Sequence, residues 1–160
     1  MKMLSSSIKF KYILKIYFFY LILSPNINYA GVKGLIFHGG YVFETFKGQE
    51  NSAVYLTILN NSEKNFKIKS IKTKIAKKAE VHDVRIKNDI VEMFMIKNFD
   101  IKKKSEIYFQ PGAKHIMLFG LKKKLTDGDS FKIIFYFQNN QSVETEVLVL
   151  NQELKENYLN

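Results

Sequence analysis

The chain has 160 residues, no cysteine and a formal net charge of +10. Without cysteine it can hold neither a disulfide nor a thiolate metal site, and the blue-copper electron carriers, which need a Cys ligand, are excluded. Of its 25 basic residues only Arg85 is an arginine, so the side chain that reads guanine and phosphate through paired hydrogen bonds is nearly missing. We expect a solvated basic surface and no nucleic-acid partner. Attraction to an acidic partner protein or an anionic membrane surface is the alternative.

The N-terminus has the pattern of a secretion signal. Three lysines among the first 11 residues precede an apolar stretch at residues 12–23, and residues 28–30 offer a cleavage site that ends in alanine. The apolar stretch is about a dozen residues long, shorter than the roughly 20 that span a bilayer as a helix. We expect residues 1–30 to be a cleaved signal peptide, with an uncleaved anchor as the alternative. The rest of the chain would face the far side of the membrane.

Residues 31–150 are predicted to form one all-β domain. Runs of β-forming or alternating side chains are separated by turn signals, which favours an antiparallel sandwich or a Greek-key barrel. Residues 131–137 and 143–149 form a predicted hairpin. Residues 72–80 have the composition of a short helical turn or loop, and residues 151–160 form a polar tail.

Two histidines and two methionines carry the strongest chemical signal. His82, Met93, His115 and Met117 form the pattern H-x10-M-x21-H-x-M. Imidazole and thioether together make a soft, neutral ligand set, which suits Cu(I) better than it suits Zn, Mg or Ca. Such a site also avoids thiols, which tend to be lost as disulfides in an oxidising compartment.

The alternation around these residues predicts how a sheet would present them. In a strand, His115 and Met117 share one face, while Ile116 and Leu118 point into the core. By the same argument His82 points away from the face on which Val81 packs. The predicted site therefore lies on the outer surface of the sheet.

Other residues compete for a place in this site. Met95 would share a face with Met93 and is an auxiliary or substitute ligand, and His38 is a weaker candidate at a predicted turn. Asp83 and Glu92 adjoin the ligands in sequence. Each is either a carboxylate that accepts the free N–H of a ligand histidine or a solvent-facing charge.

Three further segments resemble the periplasmic copper chaperones of the PCuAC type. Residues 111–121 read Pro-Gly-Ala-Lys-His-Ile-Met-Leu-Phe-Gly-Leu, residues 125–129 read Leu-Thr-Asp-Gly-Asp, and residues 53–60 resemble an early strand of that family. The four-residue spacing is the metal signature of the family. The resemblance covers roughly residues 33–149, nearly the whole predicted mature chain.

The resemblance implies a cupredoxin-like antiparallel Greek-key β-sandwich in the periplasm, which binds one Cu(I) at an exposed site. It implies His82, Met93, His115 and Met117 as ligands. It also implies handover of copper to cytochrome c oxidase assembly, through the copper-A subunit or a Sco-type protein. We expect a monomer and no enzymatic activity, because the chain shows no nucleophile motif.

Three departures and two alternatives remain. Lys124 stands where the family often has proline, and residues 40–45 match the family poorly. Residues 151–160 contain neither His nor Met, so a second, Cu(II)-binding tail is not expected. One alternative function is a secreted β-sandwich that binds a partner protein without metal. The other is copper buffering or resistance, which would use the same site.

Overall fold

The computed structural model describes residues 32–154. The predicted signal peptide and the end of the predicted polar tail lie outside these residues. No helix within the described part is long and apolar enough to cross a membrane. The described residues form ten strands: β1 (Leu35–Phe43), β2 (Asn51–Asn60), β3 (Phe66–Thr73), β4 (Ala76–Lys87), β5 (Ile90–Met95), β6 (Asp100–Ile101), β7 (Ser105–Phe109), β8 (His115–Leu121), β9 (Ser130–Phe137) and β10 (Ser142–Leu150).

Seven of these strands close into a barrel-like ring. Their order is β4-β8-β2-β1-β10-β9-β3, and a pairing between β3 and β4 closes the ring. The short strands β6 and β7 pair with β3 and β2, while β5 pairs with β4 at an edge. The predicted all-β class is confirmed. The arrangement differs from the expected antiparallel sandwich, because β1 and β10 run parallel and the strands form one closed sheet.

Apolar side chains at alternate positions fill the ring. On β2, Val54, Leu56 and Ile58 are almost fully buried, and β9 contributes Phe135 and Phe137 in the same way. Burying one such side chain stabilises the fold by about 1.5–3 kcal/mol. The predicted hairpin of β9 and β10 is present, with paired residues from Ser142↔Tyr136 to Leu148↔Ser130.

The prediction for residues 72–80 was wrong. Residues 74–75 form a tight turn, and β4 already begins at Ala76. Ile75 and Ala76 are buried in the core, so tertiary packing overrides the preference of alanine and lysine for helix. The first part of the tail is also ordered, because the Gln152 side chain donates a hydrogen bond to the carbonyl oxygen of Glu44 at 2.7 Å.

A two-residue turn fixes the register of β5. Lys87 pairs with Ile90, and between them Asn88 and Asp89 have φ angles of 50° and 61°. Two consecutive residues with positive φ make a type I′ turn, whose twist matches that of the flanking strands. This hairpin carries β5, and with it Met93 and Met95, beside the histidines of β4 and β8.

Candidate metal centre

The outer face of three neighbouring strands gathers all four predicted ligands. His82 on β4 lies directly opposite His115 on β8 and, on its other side, opposite Met95 on β5. Residues that are opposite in a ladder share a face, as do residues two apart on one strand. Met93 and Met117 therefore belong to the same face. Val81, Ile116 and Leu118 point the other way and are buried in the core.

The backbone holds the ring of His115 in one tautomer. His115 Nδ1 lies 2.8 Å from the carbonyl oxygen of Ala113, and because a carbonyl only accepts, Nδ1 must carry the proton. In the neutral ring Nε2 then keeps a free lone pair. That nitrogen lies 3.3 Å from Met93 Sδ. Two uncharged atoms that can each give a lone pair to a metal ion therefore face each other.

His82 is held by a carboxylate that the sequence did not single out. Its Nε2 lies 3.1 Å from Glu80 Oε2, and an ionised carboxylate only accepts, so Nε2 carries the proton. The other nitrogen, Nδ1, is buried without a hydrogen-bond partner among the described residues. A carboxylate–imidazole pair with a free ring nitrogen is the usual arrangement of a metal-binding histidine.

Met93 rather than Met95 reaches the histidine nitrogen. Met95 lies opposite His82 in the ladder, but the sulfur that lies against a histidine nitrogen is that of Met93, beside His115. Met117 lies on the same face, opposite Glu80 on one side and Ala53 on the other. The structure thus brings His82, Met93 and His115 together and places Met117 one step further along β8.

The centre is less exposed than the sequence indicated. His115 is only 6% exposed, and the side chain of His82 is 12% exposed. Their rings lie 6.0 Å apart, and the ring of Phe119 lies 5.7 Å from that of His82. Met93, at 55% exposed, is the part of the centre that solvent reaches first.

Asp83 and Glu92 do not hold the histidines. Asp83 points to the opposite face and pairs with Lys114 at 2.9 Å, while Glu92 pairs with Arg85 at 2.9 Å. Glu92 is therefore the solvent-facing charge that was expected, whereas Asp83 is a largely buried partner of Lys114. His38 on β1 lies opposite Thr57 of β2. At Thr57, β2 pairs with β7 and not with β8, so His38 does not lie at this centre.

Glu80 is the functional candidate that the sequence interpretation missed. Its signal was available, since Glu80 and His82 are two apart on one strand and so share a face. Burial acts to raise the pKa of Glu80, but hydrogen bonds from Lys78 and His82 outweigh it and hold that pKa below its usual value. The carboxylate is therefore charged at neutral pH. Residues 32–154 contain no cluster of three or more His, Cys, Asp or Glu that could hold a metal ion.

Comparison with known proteins gives one family and one curated relative. Residues 35–149 match the family model described as "Putative lipoprotein LpqE-like". The protein RP573 of Rickettsia prowazekii (strain Madrid E) is 31% identical over 102 residues, which are 63% of this chain and 56% of that protein. The chain thus spans little more than half of that relative's length.

Solved structures of PCuAC domains are similar in fold. The copper-bound PCuAC domain from PmoF2 has a TM-score of 0.64 at 13% identity, covering 76% of this chain and 96% of that domain. The apo PCuAC domain from PmoF1 has a TM-score of 0.60 at 19% identity, covering 74% and 95%. Cu(I)-loaded DR1885 from Deinococcus radiodurans has a TM-score of 0.58 at 18% identity, covering 79% and 85%. The resemblance to PCuAC domains is therefore confirmed for the fold.

Proposed function

We propose a function on the basis that the chain belongs to the LpqE-like family, which is related to PCuAC domains. In this proposal the chain binds Cu(I) through His82, Met93, His115 and Met117. It then passes the ion to a recipient protein. The contact between His115 Nε2 and Met93 Sδ carries the proposal. Two donors that share a tetrahedral ion at about 2.0–2.3 Å lie roughly 3.5 Å apart. The observed 3.3 Å is close to that separation.

The hydrogen bonds of the two rings support the same function. The carbonyl of Ala113 and the carboxylate of Glu80 each accept a hydrogen bond from one protonated ring nitrogen, which leaves the other nitrogen of each ring able to bind a metal. The buried, unpartnered Nδ1 of His82 is an atom whose missing partner a metal ion would supply. Imidazole and thioether are the donors that a soft monovalent copper ion favours.

Transfer rather than permanent binding follows from the exposure of Met93. Cu(I) is the cargo, and a solvent-accessible thioether can be replaced by a ligand of the recipient while the buried histidines keep hold of the ion. The proposed recipient is the copper-A subunit of cytochrome c oxidase or a Sco-type protein. The proposal includes a monomeric, non-enzymatic protein with a cupredoxin-like Greek-key arrangement, exported to the periplasm by residues 1–30.

Anaerobic Cu(I) titration against a colorimetric chelator tests the binding step. We expect one Cu(I) per chain, and loss of at least 100-fold in affinity in a Met93→Ala, Met117→Ala double variant, because half of the ligands are gone. A Met95→Ala variant serves as the matched control, because it removes a methionine of the same strand while the sulfur–nitrogen contact between Met93 and His115 stays. Full affinity in the Met93 and Met117 variant would rule this site out.

Competition between Cu(I) and Zn(II) separates this function from a metal-free interaction module. Thioether is an unusual ligand for zinc, so we expect Cu(I) to displace Zn(II) from the loaded chain. Oxidase assembly in a deletion strain then separates delivery from buffering. Normal assembly together with copper sensitivity would favour buffering.

A further inference from the structure

The β4–β5 hairpin exposes an unusual share of apolar surface. Ten large hydrophobic side chains are exposed among the described residues, and half of them belong to this one hairpin: Ile86, Ile90, Val91, Met93 and Met95. Ile86 is 75% exposed and Val91 is 68% exposed. Clustered apolar exposure of this kind marks an interaction site more often than a chance surface.

Most of these side chains continue the face of the candidate metal centre. Ile86 lies opposite Val91, and Val84 lies opposite Met93, so all four share the face on which the histidines lie. β5 is an edge strand of the sheet. The apolar face therefore runs from the metal centre outward to the turn, with no strand beyond β5 to cover it in the described part of the chain.

A basic cleft borders the same centre. β3 and β4 share the single registered pair Ile71↔Ala79, so the two strands diverge and leave a cleft of about 790 Å³. Met95 and Glu80 line the cleft, which makes it continuous with the metal centre. Six exposed lysines also line it: Lys69, Lys72, Lys77, Lys78, Lys97 and Lys122.

The lining of this cleft carries an excess of positive charge. Glu80 is the one carboxylate of its lining, and it is already engaged by Lys78 at 2.8 Å and by His82. Lys69 and Lys97 have no ion-pair partner among residues 32–154. A concave basic surface of this kind fits protruding acidic side chains better than it fits a flat bilayer.

We propose, on the basis of the proposed copper transfer, that the apolar hairpin face and the lysine cleft form one docking surface for the copper recipient. The recipient is then a protein that presents an apolar patch bordered on one side by carboxylates. Met93 belongs to the apolar part of this surface. A recipient that docks there therefore brings its own ligands beside the ion. The lysines steer the approach and set its orientation.

Charge reversal tests the cleft. The full chain, loaded with Cu(I), is mixed anaerobically with the soluble apo copper-A domain of the oxidase, and transfer is followed by stopped flow at low and high salt. We expect Lys69→Glu with Lys97→Glu to slow transfer by about tenfold at low salt. The matched control is Lys33→Glu with Lys103→Glu, near the end of β2 at Asn60 and away from β8. The control should change the rate less than twofold.

Apolar-to-polar substitution tests the hairpin. Ile86→Thr with Val91→Thr should raise the copper-A concentration at half-maximal rate about tenfold at any salt, because it removes apolar contact area and no charge. Ile36→Thr with Leu148→Thr removes two similarly apolar exposed side chains elsewhere and should have no effect. Circular dichroism of each variant confirms that it is folded.

A small chelator separates the docking surface from the proposed function. Transfer of Cu(I) to bathocuproine needs no docking, so every variant should match the wild-type rate. Three outcomes would overturn the docking surface and leave Cu(I) binding intact. The first is equal slowing by both pairs of lysine variants, and the second is unchanged copper-A transfer in the hairpin variant. The third is binding to anionic vesicles in place of the copper-A domain. A wild-type chain that binds no Cu(I) overturns both.

Discussion

At the scale of single residues, the partners of the two histidine rings decide which nitrogen of each is free. Ala113 O fixes His115 and Glu80 fixes His82, so each ring enters the centre with its proton already placed. This arrangement lowers the cost of binding a cation, because neither ring must change tautomer. Metal affinity in such centres depends on the outer hydrogen-bond partner as well as on the ligand.

Glu80→Gln should weaken Cu(I) binding by about 10- to 100-fold while leaving the fold intact. The amide can still accept a hydrogen bond from His82, but it removes the negative charge that strengthens the ring as a donor. Chelator competition gives the affinity, and ¹⁵N chemical shifts of the imidazole give the tautomer. Glu92→Gln, which breaks the pair with Arg85 on the other face, is the control. Equal losses in both variants would contradict a specific role for Glu80.

Asp83 is predicted to contribute to stability in a pH-dependent way. Burial acts to raise its pKa, but hydrogen bonds from Lys114 and from the Val84 N–H outweigh burial and hold the pKa of Asp83 below its usual value. A carboxyl with a lower pKa in the folded state stabilises above its unfolded pKa, and that stability is lost as pH falls through the folded pKa. Asp83→Asn should therefore lower the free energy of unfolding by about 1 kcal/mol at pH 7.

Urea unfolding at pH 7 and near pH 3 measures this effect. The difference between Asp83→Asn and wild type should shrink at the lower pH, because protonation then removes the same charge from the wild type. Asp100→Asn, in the exposed pair with Lys67, should show almost no difference at either pH. A pH-independent loss for Asp83→Asn would mean that shape rather than charge matters there.

At the scale of elements, the β4–β5 hairpin positions Met93, whereas Met117 lies on β8. Its type I′ turn at Asn88 and Asp89 sets the pairing of Val84 with Met93. Among residues 32–154, β4 is the one strand that pairs with β5, so no second ladder holds the register of β5. Through this register, the turn determines which side chains of β5 face the candidate metal centre.

Opposite substitutions in this turn should have opposite effects. Asn88→Val forces a β-branched residue to a positive φ angle and should destabilise the hairpin by about 1–2 kcal/mol. Asp89→Gly places glycine where it is favoured and should stabilise the hairpin by a few tenths to 1 kcal/mol. Amide hydrogen exchange of β5 reports the local change, and Cu(I) affinity should fall with Asn88→Val and hold or rise with Asp89→Gly. An unchanged affinity in both would mean that the hairpin is not needed to place Met93.

The alternation of side chains in the sequence predicted which face of a strand each residue occupies. It did not predict features that depend on packing between distant strands. Alternation correctly placed His115 and Met117 opposite Ile116 and Leu118, because a strand's period of two is a local property. It did not give the parallel pairing of β1 with β10, since the partner of a strand is chosen by the whole sheet. The burial of His115 was missed for the same reason, because Met93 reaches it from another strand.

At the scale of the whole molecule, the candidate metal centre joins three neighbouring strands of the sheet. β4 and β8 belong to the ring, whereas β5 is attached at its edge. A bound ion would tie Met93 on the edge strand to both histidines of the ring. Binding should therefore be felt in global stability as well as at the site.

Cu(I) should raise the melting temperature of the chain by roughly 10 °C when free Cu(I) is 100 times its dissociation constant. Mass action then adds about 2.7 kcal/mol to the free energy of unfolding, and a domain of this size gains a few degrees for each kcal/mol. Anaerobic calorimetry with buffered Cu(I) measures the shift, with Zn(II) and the Met93→Ala, Met117→Ala variant as controls that should move little. A metal-free interaction module predicts no shift in any of these samples. An equal shift in the double variant would mean that copper binds elsewhere, because a ligand stabilises the native state only through the site it occupies.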